Sequence, residues 1–178
     1  LLAMNAGAAD VIQNPPDGRL PPRRLGKTGL MCSIIGFGGV AAMKLTQDQM
    51  SAAAEQAIGL GVNYFDVAPS YGDAQTKFGI ALEGKRKQVH LACKTLDRTA
   101  DGARRELDES LKLLKTDQLD VYQFHALDSI EELETVLGKG GAMETFLKAQ
   151  EQGLVRFLGV TGHRPDVQAE LVKRAPIH

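Results

Sequence analysis

From residue 23 onward, short β-rich runs alternate with amphipathic stretches about once every 30 residues, and few folds tolerate that rhythm. Strands are predicted over 33–39, 63–66, 89–94, 119–125 and 155–161. Between them, helical signals recur. Thr46-Gln47-Asp48-Gln49 has the spacing of a capping box, and Met50, Ala53, Ala54, Ala57 and Ile58 then repeat at helical period until Gly61, which predicts a helix over 47–60. Helices are also predicted over 74–82, on the stripe Ala103, Leu107, Leu111 and Leu114, after a second capping box at Ser129-Ile130-Glu131-Glu132, on Met143, Phe146, Leu147 and Gln150, and over 165–173. Ahead of them, RRL and LMC flank Gly26-Lys27-Thr28-Gly29, the pattern of a small N-terminal β-hairpin.

Strict alternation implies a parallel sheet with helical crossovers. The strands end near Gly39, Asp66, Lys94, His125 and Thr161, at intervals of 27, 28, 31 and 36 residues. A TIM (β/α)8 barrel averages roughly 31 residues per unit. Only about five of eight units are present, however, and by length alone a five-stranded doubly wound sheet fits better. Periodicity leaves both open.

Other classes close earlier. Lys plus Arg total 21 against 22 Asp plus Glu, so no overall field draws the chain to nucleic acid or to an anionic membrane surface. No apolar run approaches the roughly 18 residues of a membrane span. Cys32 and Cys93 lack disulfide or metal spacing and read as reduced core thiols. Residues 1–9, LLAMNAGAA, carry an A-x-A at Ala6-Gly7-Ala8 like the tail of an export signal; the expected location is cytoplasmic, or exported if that stretch is a signal remnant. Residues 10–24 hold four of the seven prolines and read as linker. The expected division is a leader and linker over 1–22 and a barrel domain over 23–178. Ala175-Pro176-Ile177-His178 looks like the entry to another strand, which suggests an incomplete barrel.

Chemistry at the strand ends separates the two sheets. Asp66 and Tyr71 follow the second strand in NYFDVAPSYG, Lys94 ends the third in VHLACKT, and His125 ends the fourth in VYQFHAL. In a parallel α/β fold those ends open onto one face, where ligands bind. By alternation Lys94 shares a side with Ala92 and His90 and points inward, opposite Cys93, Leu91 and Val89. A buried lysine beside an aspartate keeps its charge, a cation beside a phenol favours the phenolate, and a neutral imidazole can donate to the same oxygen. Together they suit protonation of a carbonyl oxygen as charge develops on it. Each residue also has a structural reading: ion pair, turn aromatic, satisfied histidine. Four of them at consecutive strand ends favours the site. His90 reads as core and His163 as a loop residue.

These motifs resemble the aldo-keto reductase family. The resemblance runs through RRLGKTGLMCSIIGFGG, GVNYFDVAPSYG, the lysine of LACKT, DQLDVYQFHAL and LVRFLGVTGH, and the order Asp, Tyr, Lys, His at intervals of 5, 23 and 31 matches that family's catalytic tetrad. It implies a (β/α)8 barrel reducing an aldehyde or ketone with hydride from NADPH, or alternatively NADH. Tyr71 would then be the proton donor, Lys94 its cationic partner, Asp66 the pair of Lys94, and His125 the orienter of the carbonyl. The cofactor would lie along Gly39, Val40, Asp66, Thr161 and Gly162. Where members usually carry Ser-Asn, this chain has Thr161-Gly162, and the seventh and eighth units that hold the adenosine phosphate lie outside it.

Three rival readings remain. Gly36-Phe37-Gly38-Gly39-Val40-Ala41-Ala42 contains G-x-G-x-x-A, the dinucleotide fingerprint of a Rossmann fold, although the helix signal waits until Thr46. A metal-dependent barrel hydrolase would use His125, Asp66 and His163, with Lys94 repelling the cation; the expectation is no metal. A regulatory protein of the same fold would sense nicotinamide redox state without turnover. The expected partner is a small carbonyl compound, with no nucleic acid and no membrane.

Overall fold

The computed structural model describes residue 15 and residues 17–178. Strand β1 (Pro22–Arg24) pairs antiparallel with β2 (Met31–Ser33), which is the expected hairpin. The rest is one parallel sheet of β3 (Phe37–Gly38), β4 (Tyr64–Asp66), β5 (His90–Thr95), β6 (Leu119–Phe124) and β7 (Val155–Val160). Its helices are α1 (Gln47–Gly59), α2 (Ala74–Ala81), α3 (Ala100–Leu113), α4 (Ile130–Leu137), α5 (Ala142–Glu151) and α6 (Pro165–Arg174). Two helices between β6 and β7 account for the longest interval.

Strand order resolves the ambiguity that periodicity left. The sheet runs β3-β4-β5-β6-β7, each strand beside its neighbour in the chain. A doubly wound sheet reverses direction at a switch point, whereas a barrel never does. The chain is therefore an α/β arc of five barrel strands.

The two faces of the arc carry separate cores. Val89, Leu91 and Cys93 of β5 and Tyr122 and Phe124 of β6 pack outward with Ala103, Leu107 and Phe146 of the helices. On the inner face, Ala92 and Val121 meet Leu30 and Cys32 from the hairpin, flanked by Tyr64 and Phe157. Asn63 ties the hairpin down: its Nδ2 donates to the Met31 carbonyl at 2.8 Å and its Oδ1 accepts from the Ser33 amide at 2.7 Å. The hairpin thus covers the end where the strands begin and leaves the opposite end free.

Two expectations need correction. The first core strand is Phe37–Gly38, not 33–39, because the Ser33 hydroxyl donates to the Ile35 carbonyl at 2.7 Å and turns the chain before it enters the sheet. The proline-rich linker also ends early, since Pro22 begins an edge strand, where proline is tolerated. Both expected helix starts hold, but only the first as a full capping box: Thr46 Oγ1 accepts from the Gln49 amide at 3.2 Å and the Thr46 amide donates back to Gln49 Oε1 at 2.9 Å, whereas Ser129 Oγ accepts from the Glu132 amide at 3.1 Å while the Glu132 carboxylate accepts from the Asp128 amide instead. Ser129→Ala should lower the unfolding free energy by about 1 kcal/mol, read as a reduced urea midpoint at unchanged slope.

At the strand-start end the carboxylate of Asp120 is buried, with 5% of its side chain exposed. Its Oδ2 accepts from Arg86 Nη2 and from the Leu91 amide, both at 2.9 Å, while its Oδ1 accepts from Arg156 and lies 3.7 Å from His90 Nδ1. Arg86 also donates to Thr116 Oγ1 and to the carbonyls of Val89 and Gln118. Burial opposes ionisation of Asp120, but His90, the Leu91 amide and the two arginines outweigh it and hold the carboxyl far below the usual carboxylate range. His90, expected in the core, is half-buried here. This cluster borders a cavity of about 620 Å³, but its ionic groups are largely satisfied by one another.

Candidate active site

The other end of the arc gathers the polar residues. β4 carries Asp66 at its last position, and the following turn, closed by the Tyr71 amide donating to the Ala68 carbonyl at 3.1 Å, brings Tyr71 back over the mouth. In register, Asp66 lies beside Ala92 and Lys94 beside Gln123, so Lys94 stands one inward step above Asp66's level. His125 follows β6, with its amide donating to the Thr95 carbonyl at 2.9 Å; Thr161 follows β7, with its amide donating to the Phe124 carbonyl at 2.8 Å.

Lys94 has 3% of its side chain exposed. Its ammonium donates to Asp66 Oδ1 and, at 3.2 Å, to the Val67 carbonyl. Two of its three N–H groups are thereby used, and one remains. Nζ lies 5.1 Å from the Tyr71 ring centroid, and the rings of Tyr71 and His125 meet edge to face at 5.8 Å. Tyr71 touches both neighbours through its ring, and no hydrogen bond joins its hydroxyl to either.

Tyr71, Lys94, His125, Ala126, Thr161, Gly162 and His163 line a cavity of about 270 Å³. Asp66 acts on it through Lys94. Gly39 is buried behind Asp66, where an added Cβ would stand 2.8 Å from the Asp66 carbonyl oxygen, and Val40 is 60% exposed; neither lines the cavity. At Gly162 a Cβ would collide with Gln168 and come within 2.9 Å of the Leu127 carbonyl, so this loop accepts no side chain there.

His125 is held neutral. Burial is the largest cause, the Lys94 ammonium adds to it, Asp66 opposes it, and Arg98 and His163 add further, so its pKa falls below the ordinary value. Its backbone is clamped as well. Arg98 Nη2 donates to the carbonyls of His125 at 2.8 Å and Ala126 at 3.0 Å, and Nε donates to Glu132 at 3.2 Å. Ala126 has a φ of 51°, a left-handed conformation that costs an alanine energy and that the clamp helps to hold. Sequence reasoning missed Arg98. No spacing signal marks it, because its partners lie 27 and 28 residues further along the chain.

The rival sites do not assemble. The glycine run leads into a short 3₁₀ turn over Gly39–Lys44, and the α-helix that follows it opens only at Gln47. Among the described residues, no group of three or more His, Cys, Asp or Glu side chains is placed to hold a metal ion, and Asp66 is engaged by Lys94. Among the same residues, no helix is long and apolar enough to cross a membrane.

A model of the aldo/keto reductase family matches residues 34–178. The chain belongs to that family. This aldo/keto reductase chain is 31% identical over 174 residues to the uncharacterized oxidoreductase YqkF of Bacillus subtilis, covering 87% of the chain and 53% of YqkF. An aldo-keto reductase from Bacillus halodurans in its holo form aligns with a TM-score of 0.77 at 28% identity, over 88% of this chain and 55% of that one. A Klebsiella pneumoniae aldo-keto reductase solved in complex with NADPH aligns with a TM-score of 0.68 at 27% identity, over 83% of this chain and 51% of that one. The chain spans about half the length of the curated relatives it matches. Family and barrel architecture, both expected from the residues, hold.

Proposed function

We propose that the protein carrying this sequence reduces a small aldehyde or ketone to an alcohol with a nicotinamide cofactor, NADPH before NADH, and that residues 23–178 supply the catalytic half of its barrel after a leader over 1–22. One observation carries this reading: Tyr71, a buried Lys94 and a neutral His125 border a single cavity at the carboxyl ends of adjacent strands. NADPH comes first because the Klebsiella pneumoniae relative was solved with it.

The residues suit the nicotinamide end of such a cofactor. Gly162 offers a mouth without a side chain, and Thr161 and His163 border it. In the proposal Thr161 and Gly162 flank the cofactor directly, while Gly39, Val40 and Asp66 shape the first two strand ends beneath it. When bound, the reduced nicotinamide supplies the hydride.

This chain's own groups handle the proton. The Tyr71 hydroxyl donates its proton to the carbonyl oxygen as charge develops there, giving the alcohol. Lys94 directs its remaining N–H toward the phenolate left behind and stabilises that charge. Asp66 fixes the ammonium so that it cannot swing away. His125, neutral and clamped by Arg98, orients the carbonyl oxygen through a ring N–H. Solvent then reprotonates Tyr71.

The test is steady-state loss of NADPH absorbance with a generic aldehyde, in the presence of a chelator. Multiple turnovers are expected. Tight NADPH binding with at most one turnover would replace the enzyme with a nicotinamide-sensing protein, and inhibition by the chelator would revive the hydrolase ligands.

A further inference from the structure

His125 presents two ring nitrogens, and only one of them can act on a carbonyl. Its Nδ1 lies 2.9 Å from Thr161 Oγ1. That hydroxyl already accepts a hydrogen bond from the Ala126 amide at 3.3 Å, and an amide can only donate. The hydroxyl proton must go elsewhere, and among the described residues Nδ1 is the acceptor within reach. A chain Ala126 N–H to Thr161 O–H to His125 Nδ1 leaves every member satisfied, and each bond polarises the next. The opposite arrangement, with Nδ1–H donating to the hydroxyl, leaves the Thr161 proton without a partner in the protein.

We propose that Thr161 is a positioning residue that locks His125 in its Nε2–H tautomer, so that the nitrogen remote from Thr161 is always the donor. The chain of bonds is anchored by backbone. The Thr161 amide is paired to Phe124, and the Leu127 amide donates to the Thr161 carbonyl at 2.9 Å, so threonine and imidazole cannot drift apart without breaking the β6–β7 seam. The charged or titratable groups facing His125 are Tyr71, Lys94, Asp66, Arg98 and His163. None of them lies within hydrogen-bond distance of Nδ1. The tautomer is therefore assigned to one hydroxyl.

The proposal depends on the reductase reading only for its effect on rate. The protein carrying this sequence is labelled with ¹⁵N, and the imidazole of His125 is followed in long-range ¹H–¹⁵N spectra at mildly alkaline pH. The wild type should show one neutral Nε2–H form. Thr161→Val should show a mixture with Nδ1–H, and Thr161→Ser should restore the single form. In turnover with NADPH and an aldehyde, Thr161→Val should lower kcat about tenfold with little change in KM, and Thr161→Ser should recover it. An Nδ1–H wild type, or an unmixed Nε2–H form in Thr161→Val, overturns the lock. Should the valine variant fail to fold, the wild type and Thr161→Ser still decide, because Nδ1–H in either is fatal. If the tautomer pattern holds but turnover is absent throughout, the reductase reading fails and the lock stands.

Discussion

Tyr71→Phe is expected to lower carbonyl turnover by about 10²- to 10⁴-fold, the usual worth of a positioned proton donor, while leaving the unfolding curve nearly unchanged. The ring is what packs. It meets His125 edge to face and lies beside the Lys94 ammonium, and phenylalanine keeps both contacts. Only the hydroxyl is lost, and no hydrogen bond to Lys94 or His125 goes with it. Lys94→Met should reduce turnover comparably, because the phenolate formed in the reaction then lacks its counter-charge; unlike Tyr71→Phe it should also destabilise the fold, since Asp66 is left without its cation. Steady-state rates with saturating NADPH, read beside urea unfolding, check both. Turnover in Tyr71→Phe equal to wild type would remove the phenol from the chemistry.

Asp120→Ala is expected to cost about 1.5–3 kcal/mol of stability, the range for lost charge-assisted hydrogen bonds, since the Arg86 and Arg156 side chains left behind keep access to water. The carboxylate joins three strands: the Leu91 amide on β5, its own position on β6 and Arg156 on β7, with Arg86 holding the loop before β5. Without it, two guanidinium groups and an amide lose their common acceptor. The same group gives the fold an acid limit. Its folded carboxyl titrates below the unfolded value of about 3.9, so its stabilisation is complete above that pH and drains away as pH falls through the folded value. Wild type should lose stability steeply below about pH 4, and Asp120→Ala should show a shallower fall. Parallel curves for the two proteins would assign the acid sensitivity elsewhere.

Much of the site was legible because it depends on alternation. Lys94 had to face opposite Cys93, and it does: Cys93 packs outward among the helices while Lys94 reaches the mouth. Asp66, Tyr71 and His125 followed from strand ends alone. What could not be read depends on pairing between distant segments. Asp120 carries no signal of its own in LDVYQF, and its arginines lie 34 and 36 residues away in sequence; only the register of β6 against β7 brings Arg156 to it. Arg98 acts by reaching two carbonyls 27 and 28 residues on, a geometry with no spacing signal. The shortness of β3 likewise arose from a hydroxyl turning its own backbone.

The sequential order of the sheet also bears on how the chain is made. Each barrel strand after β3 leaves the ribosome with its sheet neighbour already synthesised, because every pairing joins strands that follow one another in the chain. The hairpin and the first two barrel strands come first, and the proton-handling side chains are brought together one by one in the order of synthesis, with Thr161 completing the constellation last.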